Sequence, residues 1–164
     1  MISSTKLIRF LKHKIVLLDT NIFRDILSKP TILSEFLEKL KSSGITLGTI
    51  DAVKYELLKG SSDENKYKER AKFIDKTIDI TINLPPSSFE LVYDLILKCN
   101  IDGASLNITD LLLGTALMIY KKNICLVTRD TNDFSQKIFD LRSIVNIPHS
   151  RGILTYGIYQ YKLN

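Results

Sequence analysis

Four acidic side chains stand where apolar segments begin or end. Asp19 closes the run Ile15-Val16-Leu17-Leu18, and Asp130 follows Ile124-Cys125-Leu126-Val127-Thr128-Arg129. Asp110 opens the apolar stretch that runs to Tyr120, and Glu56 lies within Val53-Lys54-Tyr55-Glu56-Leu57-Leu58. A carboxylate beside core segments is costly to desolvate unless something compensates its charge. Several of them meeting at strand ends form an all-oxygen site suited to a hard divalent cation. The chemistry this favours is metal-assisted reaction of phosphates. Each acid taken alone also fits a helix cap or a partner for lysine; the arrangement of all four is what favours a site.

The remaining composition narrows the class. A chain of 164 residues with 45% hydrophobic and 25% charged residues fits one globular domain with a full core. No apolar run approaches the ~20 residues of a membrane span. The first fourteen residues have neither a long apolar core nor a small-residue cleavage site, so no signal peptide is expected and the cytoplasm is the expected compartment. His13 and His149 are isolated, and Cys99 and Cys125 lie among apolar neighbours, which suits buried free thiols rather than zinc ligands. Net charge is +5, with Lys6, Arg9, Lys12 and Lys14 in a first segment that holds no acid. Basic ends on a nearly neutral body suit a polyanion or an acidic protein, and equally a solvated helix face.

The elements that must position the acids follow from periodicity. Residues 3–13 predict a short amphipathic helix with a serine cap, and 15–20 a strand buried on both faces. A helix from Pro30 with Leu33, Phe36, Leu37 and Leu40 on one face stops at Gly44. A strand over 45–50, a helix over 51–59, a charged helical stretch over 61–76 and a strand over 78–84 come next; Pro85-Pro86 ends the last. Ser87 or Ser88 caps a helix that buries Phe89, Val92, Leu95 and Ile96. Asn107 or Thr109 caps a helix over 110–122 so apolar on all sides that it must be central. A strand over 124–128, a short helix over 132–140 and a core strand over 144–147 complete the pattern. The tail over 153–163, with Tyr156, Tyr159 and Tyr161, reads as either strand or interface segment, more suited to an edge strand or dimer contact than to stacking on bases. Alternating strands and helices predict an α/β fold with a mainly parallel sheet, whose sites lie outside the carboxyl ends of its strands.

Four motifs in order carry a family resemblance. Leu17-Leu18-Asp19-Thr20-Asn21-Ile22-Phe23 resembles the opening motif of PIN-domain nucleases. Tyr55-Glu56-Leu57-Leu58-Lys59-Gly60 resembles their second motif and Thr109-Asp110-Leu111-Leu112-Leu113-Gly114-Thr115-Ala116-Leu117 their third. Leu126-Val127-Thr128-Arg129-Asp130-Thr131-Asn132-Asp133-Phe134 resembles the fourth. Each motif alone is weak, but their order and separation fit over residues 15–148. Within the family the chain is most similar to the toxins of virulence-associated (VapBC) toxin–antitoxin pairs.

The resemblance implies a PIN-like three-layer sandwich, a mainly parallel sheet of order 3-2-1-4-5 flanked by helices. It implies one domain over 1–164: an N-terminal amphipathic helix (1–14), a nuclease core (15–148) and a C-terminal extension (149–164). The implied activity is Mg²⁺- or Mn²⁺-dependent endoribonuclease hydrolysis leaving a 5′-phosphate and a 3′-hydroxyl, in the role of a toxin. The implied partners are RNA, an antitoxin and a second copy of the chain. Asp19, Glu56, Asp110 and Asp130 are the expected catalytic acids. Asp19 is the expected direct metal ligand, Asp110 and Asp130 ligate directly or through water, and Glu56 holds a second ion or orients water. Asp133 is the alternate fourth acid. Asn21 and Thr128 are expected to orient the carboxylates as donors. Thr20 and Thr109 fit capping as well as a role in the site. Arg129 fits a phosphate contact or a solvated surface position, and Asp25, Glu35, Glu38 and Asp51 read as ordinary helix residues. The competing readings are a housekeeping RNA-processing or DNA nuclease with the same site, and a non-catalytic module that binds RNA or protein.

Overall fold

The computed structural model describes residues 5–28, 30–101, 106–149 and 152–163. Strand β1 (Ile15–Leu18) lies at the centre of a six-stranded sheet. The chain leaves it through helices α2 (Thr20–Ser28) and α3 (Pro30–Ser42) to reach β2 (Thr46–Ile50), and through α4 (Asp51–Leu58) and α5 (Glu64–Thr77) to reach β3 (Ile80–Ile82). Helices α6 (Ser88–Ile101) and α7 (Ile108–Tyr120) then carry it back across the sheet to β4 (Ile124–Thr128), on the other side of β1. These four strands are mutually parallel. Helix α1 (Thr5–Leu11) precedes them, and the chain closes with β5 (Phe139–His149) and β6 (Gly152–Tyr161).

The local reasons are visible in the residues. β1 and β4 are short apolar runs; Val16, Leu17 and Leu18 of β1 and every residue of β4 are buried, as in strands covered on both faces. α3 ends because Gly44 takes φ +75°, which lets the Ile45 N–H donate back to the Leu40 carbonyl at 3.1 Å. The Asp63 side chain caps α5 by accepting from the Lys66 N–H. α7 starts with a reciprocal box: the Asp110 N–H donates to Asn107 Oδ1 at 3.0 Å and the Asn107 N–H to Asp110 Oδ2 at 3.2 Å. Its Leu111, Leu113, Gly114, Thr115, Ala116, Leu117 and Met118 are all buried, as its apolar circumference predicts. Both cysteines are buried free thiols, and burial pushes Cys125 up to about 12.

Several expectations are corrected. The sheet is mixed, with order β3-β2-β1-β4-β6-β5, not 3-2-1-4-5. The tyrosine-rich tail is β6, which pairs antiparallel with β4 and pushes the strand containing 144–147 outward to the edge as β5. A β-hairpin needs no crossover, so two antiparallel strands add to β4 where a parallel fifth strand would need a connecting helix. The short helix expected over 132–140 is instead a series of turns before β5. An additional helix, α2, begins directly after Asp19. Phe89 faces solvent while Val92 and Leu95 are buried. The serine cap expected at Ser3 and Ser4 lies outside the described residues. Among the described residues no helix is long and apolar enough to cross a membrane.

Candidate active site

The chain runs outward from β1 to β3 and then returns to β4, so the direction of winding reverses between β1 and β4. Sites in open α/β sheets form in the crevice at such a point. Register places Leu18 beside Val127 and thus the two strand ends side by side, and the Asp19 N–H donates to the Val127 carbonyl at 3.3 Å. Asp19 leaves β1 at this crevice and Asp130 follows β4.

Asp19 is almost wholly buried and its carboxylate is fully engaged. The Thr20 N–H donates to Oδ1 at 2.5 Å; Thr128 Oγ1 and Asn21 Nδ2 each donate to Oδ2 at 2.6 Å. Asn21 Nδ2 also lies 3.0 Å from Thr128 Oγ1 and 3.1 Å from Asp130 Oδ2, so one amide group touches the carboxylates of Asp19 and Asp130 together. Asn21 Oδ1 in turn accepts the Arg129 N–H at 3.1 Å, and Thr128 Oγ1 accepts the Asp130 N–H at 3.0 Å. Asn21 and Thr128 thus tie the start of α2 to the end of β4.

Glu56 and Asp110 come from helices. Thr20 Oγ1 donates to one Glu56 oxygen and Thr109 Oγ1 to the other, each at 2.7 Å. Two threonines from α2 and α7 therefore clamp the Glu56 carboxylate of α4 and join three helices at the crevice. Thr109 is the second residue of α7, and Asn107, not Thr109, provides the cap. The capping box uses Asp110 Oδ2, which fixes the carboxylate at the first turn of the helix. Asp133 lies in the turns after Asp130, whose carbonyl accepts the Asp133 N–H at 3.3 Å.

Electrostatics link these groups. Burial pushes Asp19 up to about 6; Asp130 and Glu56 push the same way, and the Thr128 and Thr20 hydrogen bonds hold it down. Burial lifts Asp110 to about 7, helped by the negative charges of Asp19, Asp133 and Asp130. Asp133 is raised by burial and by Asp130. The acids therefore share one field and repel each other, the condition a cation would relieve. Among the described residues no three acidic, histidine or cysteine side chains close on one point as a ready-made cage. An ion such as Mg²⁺, which keeps several waters and takes one or two carboxylates directly, would not need a closed cage.

The sequence reading missed the role of Asp25. It is 5% exposed, accepts Arg129 Nη1 on Oδ1 at 2.9 Å and accepts the Tyr156 hydroxyl on Oδ2 at 2.9 Å. Its position four residues after Asn21 puts it on the same face of α2, a spacing visible in the sequence once α2 is recognised. Tyr156 and Tyr159 are both fully buried, which removes them as base-stacking groups. Tyr159 instead donates to the Thr131 carbonyl at 3.0 Å, in the turn between Asp130 and Asp133.

No protein-family model matches the sequence, and no curated protein matches it. Among solved structures, a chain of the VapBC2 crystal structure from Rickettsia felis, bound to a DNA fragment from their promoter, has a TM-score of 0.59 and 23% identity. The match covers 72% of this chain and 89% of that one. This chain shares that fold.

Proposed function

We propose that the protein is a divalent-cation-dependent endoribonuclease and that it acts as the toxin of a toxin–antitoxin pair. The observation that carries the reading is the joining of Asp19 and Asp130 through Asn21 at the point where the winding reverses, within electrostatic reach of Asp110, with Glu56 held at the same crevice by Thr20 and Thr109. Two buried acids lifted towards neutrality by burial and by their neighbours' charge are unfavourable for a purely structural core. The fold shared with a chain of the VapBC2 structure supports the toxin role. An antitoxin and a second copy of this chain are the proposed protein partners.

Asp19 would hold the ion directly, with Asp110 and Asp130 joining it directly or through water and Asp133 as the alternate fourth acid. When bound, Mg²⁺ or Mn²⁺ supplies Lewis-acid polarisation of the phosphate and a lowered pKa for water. The rest is the work of the chain. Asn21 and Thr128 keep the Asp19 carboxylate from rotating, because both of its oxygens are already committed to donors. Glu56, with each oxygen fixed by a threonine, keeps further lone pairs with which to orient an attacking water. Attack along that line expels the 3′ oxygen and leaves a 5′-phosphate.

The test is cleavage of a mixed pool of labelled single-stranded RNA and DNA in Mn²⁺, Mg²⁺ or EDTA, beside the Asp19→Asn protein prepared in parallel. Metal-dependent RNA cutting by the wild type alone is expected. DNA cutting alone would reassign the substrate, and equal cutting by Asp19→Asn would remove the site. Growth arrest on expression, relieved by Asp19→Asn and by a protein encoded beside this one, is the expected signature of the toxin role.

A further inference from the structure

Arg129 and Asp25 form a part-buried ion pair beside the carboxylates, and its geometry leaves the cation half used. Asn21 and Asp25 are one turn apart on α2. Asn21 takes the backbone N–H of Arg129, and Asp25 takes one nitrogen of its guanidinium. The same helix face therefore holds Arg129 at both ends. Tyr156, reaching in from β6, occupies the other Asp25 oxygen and prevents that carboxylate from turning away. Among the described residues the guanidinium makes no further hydrogen bond, and the Arg129 side chain is 43% exposed.

A buried carboxylate is a poor device for stability alone, because its desolvation offsets much of what the pair gains, and apolar residues of similar volume often do as well. Orientation is what such a pair adds. A guanidinium has five donors in a planar fork that matches phosphate oxygens, and one held by a single nitrogen keeps the rest of the fork free. Arg129 is also bonded in sequence to Asp130, so its charge sits at the margin of an anionic crevice that would otherwise repel a polyanion. We propose that Arg129 grips a backbone phosphate of the RNA strand entering the site, and that Asp25 and Tyr156 are positioning residues that aim its guanidinium. This rests on the nuclease reading above.

Binding of a short labelled single-stranded RNA, measured by anisotropy in EDTA across a KCl series, separates this role from a structural one. Loss of one phosphate contact flattens the slope of log affinity against log salt by ~0.7 for a single strand. Arg129→Gln is expected to show that flattening with binding about tenfold weaker, the scale of one charge-assisted hydrogen bond. Arg129→Lys is expected to keep the slope while losing part of the affinity. Asp25→Asn gives the test of sign. It removes a negative charge, so a carboxylate with no positioning role predicts tighter RNA binding, whereas a positioning role predicts weaker binding. Tyr156→Phe changes no charge and carries the same test if Asp25→Asn fails to fold; its affinity should fall too, measured well below a melting temperature that drops because the buried Asp25 oxygen loses its donor. An unchanged slope in Arg129→Gln, or tighter binding by Asp25→Asn, overturns the proposal. RNA cut equally well by wild type and Arg129→Gln overturns it while leaving the nuclease reading intact. A wild-type protein that neither binds nor cuts RNA in Mn²⁺ overturns the nuclease reading itself.

Discussion

Glu56 owes its orientation to two hydroxyls, and that makes a prediction at the scale of single atoms. Replacing Thr20 and Thr109 by valine keeps the shape and removes both donors. Loss of such supporting bonds around a metal site costs about 10–100-fold in activity. The double variant should therefore lose cleavage rate on that scale, serine at both positions should restore most of it, and single-turnover kinetics would measure both. The raised acids make a second prediction. Asp19 and Asp110 rise from 3.8 in the unfolded chain to about 6 and about 7 when folded, so between those values the native state binds more protons than the unfolded one. As far as these two groups contribute, stability of the metal-free protein should thus be greatest below about pH 4, fall as pH rises from there through 6, and level off above about 7. Calorimetry in EDTA should show this decline, and it should be shallower in Asp110→Asn; a steeper one would contradict the assignment.

At the scale of elements, the C-terminal strand is part of the site's support. β6 contributes Tyr156 to Asp25 and Tyr159 to the turn that holds Asp130 and Asp133. Tyr159 reaches Thr131 only because its ring lies across Gly157, two residues back on the same face of the strand. A Cβ at Gly157 would stand 2.4 Å from Tyr159 Cε2, a distance that forces the ring away. Gly157→Ala should therefore destabilise the protein by about 1–3 kcal/mol, as overpacking does. Urea denaturation would measure that loss, and cleavage should fall beyond what the lost stability explains, because the Tyr159 hydroxyl leaves Thr131. Helix α7 belongs to the same scale. Its central position follows from an apolar circumference, and Gly114 lets it lie against Leu95 and Phe139, where an added Cβ would meet carbons at 3.0 and 3.1 Å.

For the whole molecule, a cation that binds only the folded state should raise its melting temperature with the logarithm of ligand excess over the dissociation constant. Mn²⁺ is expected to raise the melting temperature of the wild type and to leave that of the Asp19→Asn, Asp110→Asn double variant nearly unmoved. The double variant in EDTA should melt at or above the metal-free wild type, since two mutually repelling charges are gone. Equal metal-induced shifts in both proteins would sink the site.

Much of this molecule follows from local sequence. Apolar runs such as Ile15–Leu18 and Ile124–Thr128 can only be strands buried on both faces, and Asn107 three residues before Asp110 writes its own capping box. The acids at the ends of those segments were legible for the same reason, since a carboxylate next to a core run is conspicuous. Tertiary structure decided the rest. Whether β5 or β6 lies beside β4 depends on non-local pairing energies that no short window contains; the inner strand β6 is buried continuously over 156–160, whereas the edge strand β5 alternates buried and exposed residues. Asp25 looked like an ordinary helix acid until Arg129, 104 positions away, and Tyr156, 131 away, closed on its two oxygens. Periodicity can report which face of a segment is apolar, but the partner of a buried charge is chosen only when distant elements pack.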